Sequence, residues 1–307
     1  MNTDPGQVLS EAAAIRFCRY LQARWGAYQV VWMVGGDGCY AKDGTVERWQ
    51  RIGQAVFGDR HDRLATMHPC GQTWVKPEFG GEPWFDFVGY QSGHGDSDEH
   101  LNWLVQGPPA QDWASEPVMP VINLEPNYET HPSYHGGGVF EAYEVRRASY
   151  WSLLVSPPAG VTFGHNAIWV WPSKPEPAEN HNNIGIVQPW STALATAGVR
   201  SMSILGQFFA KIPWWQLRPA QQILVAQPGA ENPQHFVAAA QTADQKLTVI
   251  YLPRGVPATV VTEKLGEATN ASWFNPRAGE WTKLHLTTMA EQTLVPPDDE
   301  DWLIVIG

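Results

Sequence analysis

A set of titratable and amide side chains falls where apolar runs end. Asp37 follows the run 28–34, His68 follows 63–67, Gln91 and His94 follow 84–90, Glu125 follows 120–124 and His165 follows 160–163. In an array of parallel βα units the residues at strand C-termini face the ligand. These positions therefore predict one polar rim on otherwise apolar strands. Asp37 and Glu125 are its two carboxylates, and glycoside hydrolysis needs such a pair: one protonates the leaving oxygen while the other acts as nucleophile or base. On opposite sides of a barrel mouth they would approach the ~5–5.5 Å separation of a retaining mechanism. Bland readings compete with this one. Asp37 after Gly35-Gly36 also suits a turn, and Glu125 also suits a buried ion pair with Arg146 or Arg147. Asp86, inside its strand, reads as a structural hydrogen-bonding group.

His68, His94 and His165 with Asp37 admit a second chemistry, metal ligation at strand ends. No His-x-His or His-Glu-x-x-His occurs in the sequence, so neither metal nor cofactor is expected. Residues 35–38 lack the Gly-x-Gly-x-x-Gly spacing of a dinucleotide site. Gly-x-Ser-x-Gly is also absent, which weighs against a serine hydrolase. Trp169 and Trp171, beyond the last strand and before a Pro-rich loop, are candidates for a sugar-stacking platform, whereas Trp32 and Trp84 read as core.

The elements that must position these groups alternate. Helical periodicity over 8–24, 45–57, 97–105, 140–154 and 191–210 separates strands expected at 29–34, 63–68, 84–90, 120–124 and 160–164. Strands alternating with helices at this spacing imply parallel βα units. Runs apolar on both sides imply strands covered on both faces. After Pro219 short strands follow, at 222–225, 236–239, 246–251, 259–262 and 302–306, with turns at 253–255 and 275–279. The chain thus divides into a βα domain at 1–218 and a small all-β sandwich at 219–307. A complete eight-fold barrel usually needs ~250 residues, more than the first domain supplies.

The chain has 307 residues, a net charge of −11, 43% hydrophobic and 17% charged residues, and 16 Trp. That composition is globular. The negative charge excludes broad nucleic-acid binding, which needs clustered Lys and Arg. No run approaches the ~18–20 apolar residues of a membrane span, and no signal peptide is visible near the start. Cys18, Cys39 and Cys70 cannot form a disulfide framework, so compartment stays open, as does oligomeric state.

Several segments, taken in order, resemble a known family. They are Trp32-Met33-Val34-Gly35-Gly36-Asp37, His68-Pro69-Cys70-Gly71, the stretch from Asp86 to His94, and Asn123-Leu124-Glu125-Pro126-Asn127-Tyr128-Glu129. Val145-Arg146-Arg147-Ala148 and Gly160-Val161-Thr162-Phe163-Gly164 with Ile168-Trp169 complete the set. Together they are similar to the apiosidase-like catalytic domain, glycoside hydrolase family 140 and its relatives. Trp214-Trp215-Gln216-Leu217-Arg218-Pro219 and the β module resemble that family's C-terminal region, which carries a collagen-binding label.

The resemblance spans the chain and implies a (β/α)8 TIM barrel with retention of configuration. It places the acid/base after strand four, at Asp37, and the nucleophile after strand seven, at Glu125. It implies sugar contacts from Gln91 and His94, and substrate-binding roles for His68, Tyr128, His165 and Trp169. By that count the five strands are strands four to eight, Met1 reads as an internal start, and the N-terminal part of the barrel is missing. A barrel open in this way would expose sheet edges and an apolar face, which predicts low solubility and weakened or absent activity. The expected partner is a plant-type, pectic carbohydrate. The alternatives are a metal-dependent TIM-barrel hydrolase and a non-catalytic carbohydrate-binding protein. Full-length relatives are expected to be secreted or periplasmic.

Overall fold

The computed structural model describes residues 8–41, 44–58, 63–135, 137–179, 181–266 and 270–307. Helix α1 (Glu11–Trp25) starts where the Ser10 hydroxyl accepts from the Ala13 amide at 3.3 Å. A side-chain acceptor at that position satisfies an amide the helix cannot. Strand β1 (Trp32–Met33) follows, then α2 (Val46–Val56), whose Trp49, Ile52 and Val56 are buried. Gly53 on the same face is fixed by close approach: a Cβ there would lie 2.1 Å from the buried ring of Trp84. Strand β2 (Ala65–Thr66) pairs with β1 in parallel, Trp32 opposite Ala65.

After a short α3 (Lys76–Phe79) comes β3 (Val88–Tyr90), joined to β2 through side chains. The Asp86 carboxylate accepts the Ala65 amide at 2.8 Å, and Thr66 Oγ1 donates to the Phe87 carbonyl at 2.7 Å. Asp86 therefore has the structural role read from its position. Helix α4 (Asp98–Gln106) is capped by Ser97, with Asp98 and Glu99 in its first turn. These charges complement the positive end of the helix dipole. The short α5 (Pro108–Gln111) leads to β4 (Val121–Asn123), parallel to β3 with Val88 opposite Val121. The strand expected at 160–164 contracts to one parallel bridge, Asn123 to Val161, supported by Thr162 N–H to the Asn123 carbonyl at 3.0 Å. Two parallel pairs and one parallel bridge thus follow one another in chain order, each shorter than its apolar run.

Helix α6 (Ala142–Leu154) is buried almost all round. It is followed by α7 (Asn166–Val170) and by the antiparallel pair β5 (Glu176–Pro177) and β6 (Ile186–Val187). The helix expected over 191–210 is two elements. A 3-10 turn at Trp190–Ala195 precedes α8 (Ala197–Phe209). Thr196 makes the break because its hydroxyl caps the Val199 amide and donates to the buried Glu129 carboxylate.

The C-terminal region holds β7 (Leu217–Pro219), β8 (Ala238–Thr242), β9 (Thr248–Leu252), β10 (Ala258–Val261), β11 (Ala271–Asn275), β12 (Glu280–Lys283), β13 (Glu291–Leu294) and β14 (Trp302–Ile306). Six of these form one antiparallel sheet in the order β12-β11-β14-β9-β8-β7, while β10 and β13 pair separately. The segment at 222–225 is instead a 3-10 turn at Gln221–Ile223, followed by a single bridge from Leu224 to Val260.

The sheet is covered on both faces. Ala238, Ala240, Val249, Tyr251 and Leu303 join the core containing Tyr150, Trp151 and Phe208 from α6 and α8. Ala239, Ile250, Leu252 and Ile304 pack with Ala258, Val260 and Leu294 of the β10–β13 pair. The six-stranded sheet thus lies between the helices and the two-stranded β10–β13 sheet. Arg146 on α6 and Asp301 before β14, both buried, form a two-point ion pair at 2.7 and 3.0 Å.

Candidate active site

Asp37 lies in the turn that leaves β1, with φ at +39°, a left-handed conformation unusual for a side chain of its size. Such strain persists where surroundings over-determine it, and here they do. The turn wraps Tyr40, whose hydroxyl donates to the Gly36 carbonyl at 2.9 Å. A Cβ on either Gly35 or Gly38 would lie 2.6 Å from Tyr40 atoms. The Asp37 amide donates to His68 Nδ1 at 3.3 Å. That bond leaves the His68 proton on Nε2, aimed at the next carboxylate.

That carboxylate is Glu125. His68 Nε2 stands 3.3 Å from Glu125 Oε2, and His94 Nε2 stands 2.9 Å from Oε1. The backbone of Glu125 is fixed at both ends: its N–H donates to Asn123 Oδ1 at 3.3 Å, and its carbonyl accepts the Gly93 amide at 3.1 Å. Asn123 is itself held, donating to the hydroxyls of Ser92 and Ser152 at 2.9 and 3.0 Å. Arg146 and Arg147 are committed elsewhere, to Asp301 and to Asp96 with Gln234. The ion-pair reading of Glu125 is therefore not what the structure contains.

The two carboxylates are tuned in opposite directions. Burial pushes Asp37 above the usual aspartate value, and the negative charge of Glu125 adds to this against the weaker pull of His68, His94 and His181. Burial also works against ionised Glu125, but the hydrogen bonds from His68 and His94 outweigh it and hold the group at about 2. His68 is depressed by burial yet ends above the ordinary histidine value because Glu125 and Asp37 favour its cation. Asp37 is thus biased toward its protonated form and Glu125 toward its ionised form, the direction of tuning that acid–nucleophile chemistry uses.

Asp37, Gln91, His94 and Tyr134 line a cleft of about 510 Å³ together with His100 and His135. Gln91 is buried in its wall, and Gln91 Oε1 and His94 Nδ1 have no hydrogen-bond partner among the described residues. The Tyr128 ring lies 4.5 Å from that of His94, and burial with the adjacent Glu125 and Asp37 charges keeps its phenol protonated. His131 stacks on His94 at 4.4 Å and is followed by Trp169 at 6.0 Å. Trp169, 43% exposed, also meets His181 edge-on at 4.7 Å. Of the eight residues singled out in the sequence, Asp37, His68, His94, Glu125 and Tyr128 are in mutual contact or electrostatic reach. Gln91 lines their cleft, and Trp169 joins through His131.

His165 is placed differently. Its Nδ1 accepts the Ala167 amide at 3.0 Å and caps α7, and it lines a separate cavity of about 340 Å³ with Asn166, Ile184 and Thr196. Sequence reasoning missed His131, Tyr134 and His181, which sit in loops rather than at strand ends. The density of rings in His131-Pro132-Ser133-Tyr134-His135 was the available signal. Burial drives His131 down to about 4, and its Nδ1–H donates to the Pro132 carbonyl at 2.7 Å, so this ring stays neutral between its neighbours. Among the described residues no three His, Cys, Asp or Glu side chains are grouped as metal ligands.

Parallel strands backed by a C-terminal sheet are an organisation this chain shares with TIM-barrel-like glycoside hydrolases. The family model described as "Apiosidase-like, catalytic domain" matches residues 1–216, and that described as "Putative collagen-binding domain of a collagenase" matches 218–307. The chain belongs to the apiosidase-like family.

Its fold is similar to that of a glycoside hydrolase family 5 protein from Bacteroides vulgatus, with a TM-score of 0.84 at 23% identity, covering 97% of this chain and 66% of that one. A second glycoside hydrolase gives 0.81 at 24% identity, covering 97% and 69%. A family 30 endoxylanase from Clostridium papyrosolvens gives 0.56 at 12%, covering 97% and 72%. The chain therefore spans about two thirds of the length of the structures it resembles. No curated protein matches it.

Proposed function

We propose that this chain carries the active site of a retaining glycoside hydrolase that cleaves a pectic, plant-type glycan. Asp37 is the acid/base and Glu125 the nucleophile. The observation that carries this reading is the opposed tuning of the two carboxylates: Glu125 is ionised by its two imidazoles, whereas Asp37 is raised by burial and by Glu125 itself.

In the first half-reaction the Glu125 carboxylate attacks the anomeric carbon while Asp37 gives its proton to the departing glycosidic oxygen. In the second, Asp37 takes a proton from water, whose oxygen displaces Glu125 from the same carbon. Formation of the glycosyl ester removes the negative charge that adds to burial in raising Asp37, so its pKa falls when it must act as a base. His68 and His94 orient the nucleophile. Gln91 and Tyr128 supply hydrogen-bonding groups for sugar hydroxyls, and Trp169 supplies a stacking face. His165 is assigned to the second cavity, as a further contact for a branched chain. Residues 1–218 are the catalytic unit in this reading, and 219–307 brace it.

Glu125→Gln tests the assignment. It should lower turnover by ~10³-fold or more while leaving retention on a pectin affinity matrix unchanged. Full activity in this variant would remove Glu125 from the mechanism.

A further inference from the structure

Two thiols stand beside the acid without belonging to the carboxylate chemistry. Cys39 and Cys70 are neighbours across the parallel pairing that continues β1 and β2. Gly38 bridges Pro69, and the Cys70 amide donates to the Gly38 carbonyl at 3.0 Å. Their Sγ atoms are 3.0 Å apart, and no disulfide joins any of the three cysteines. Cys39 is exposed and Cys70 half-buried, with Thr73 Oγ1 3.3 Å from Cys70 Sγ. In sequence Cys39 is two residues after Asp37, and Cys70 is two residues after His68.

We propose that Cys39 and Cys70 are a modification site: a vicinal-strand dithiol that closes to an intrachain disulfide on exposure to a small-molecule disulfide, stapling the acid's turn to the loop of its histidine. The geometry favours closure because the sulfurs already lie within van der Waals contact and the backbone between them is hydrogen-bonded. Forming a bond of ~2.0 Å requires side-chain rotation rather than strand movement.

The exposed Cys39 thiolate attacks one sulfur of the external disulfide, forming a mixed disulfide and expelling the first thiolate. Cys70, after losing its proton to solvent, attacks Cys39 Sγ. The new Sγ–Sγ bond forms, the mixed disulfide breaks, and the second external thiolate leaves to be protonated. Two protein thiols are oxidised by two electrons, and one external disulfide is reduced to two thiols. Burial and the adjacent Cys39 push the Cys70 thiol above the usual range, so the exposed member of the pair is the entry point. The closed loop constrains the unfolded chain over the 31-residue separation, so oxidation should stabilise the fold.

The test uses the full chain, oxidised glutathione as the probe, and no glycan. Thiol titration in denaturant should fall from three groups to one. Peptide mapping without reduction should give a Cys39–Cys70 cross-link, and Tm should rise by several degrees, reversed by dithiothreitol. Cys18→Ser should preserve the cross-link and the rise, whereas Cys39→Ser should abolish both while remaining folded by circular dichroism. Persistence of three titratable thiols, glutathionylation of Cys39 without ring closure, or a cross-link through Cys18 would each overturn the proposal. Because every readout is structural, its failure would leave the glycosidase reading standing, and loss of that reading would leave this one standing.

Discussion

Glu125 accepts from two imidazoles that it also influences, and pH separates these effects. Its value of about 2 lies below the ordinary 4.5, so its ionisation stabilises the fold fully above about pH 4.5, and that contribution is lost as pH falls toward 2. A shift of that size corresponds to roughly 3 kcal/mol. Asp37 is raised and runs the other way, so its ionisation weakens the fold as pH climbs past the ordinary aspartate value. Urea midpoints at pH 5 and pH 2.5 should therefore drop more for the wild type than for Glu125→Gln. Equal drops would show that the imidazole contacts contribute nothing.

His68 supplies an independent reading of the same contact. Its raised value means that its charge stabilises below about 6.5 and that this is lost as pH rises through the folded value. In Glu125→Gln burial dominates, and a histidine NMR titration should move His68 below 6.5; an unmoved resonance would contradict the pairing. Asp37→Asn should slow turnover ~10²–10⁴-fold. The loss should be smaller on aryl glycosides, whose leaving groups need little protonation.

At the level of elements, the α2 contact with Trp84 sets two effects against each other. Alanine is favoured over glycine within a helix by ~1 kcal/mol, but a Cβ at Gly53 would press 2.1 Å from a fully buried indole. Overpacking at a site with no room costs ~1–3 kcal/mol, so Gly53→Ala should lower Tm, and a higher Tm would contradict the packing.

Much of this layer was legible in the sequence. The amphipathic spacing of α2, the Ser97 cap of α4 and the apolar runs at β2 to β4 each announced their element, because burial on the inner side dictates residue type. The strands β11, β12 and β13 did not, since β12 is exposed along its length and its residues carry no alternating pattern. The break at Thr196 was equally hidden, being made by a carboxylate 67 residues earlier in the chain. At the candidate site the strand-end rule brought Asp37, Glu125, His68 and His94 into one neighbourhood. It could not locate His131 or His181, whose loops are set by tertiary packing, and it grouped His165 with a rim from which α7 diverts it.

Across the molecule, the sheet and the helices share one core, and the Arg146–Asp301 pair lies inside it with Tyr251 Oη donating to Asp301 at 3.1 Å. Removing one partner of a buried pair leaves a charge without compensation and costs ~3–5 kcal/mol. Asp301→Ala should therefore lower the stability of the whole chain in one cooperative calorimetric transition. Separate transitions for 1–216 and 218–307 would contradict a shared core. Tyr28, Val31, Met33 and Leu64 are 69%, 50%, 46% and 52% exposed around β1 and its approach. Such a face binds other apolar surfaces.

If Asp37 and Glu125 cleave a glycan together, the reaction shows in release of reducing sugar from branched pectin by the wild-type chain beside Glu125→Gln at equal concentration. Release is expected from the wild type and none above background from the variant, with both retained on pectin. Equal release by the two, or none by either, would contradict it.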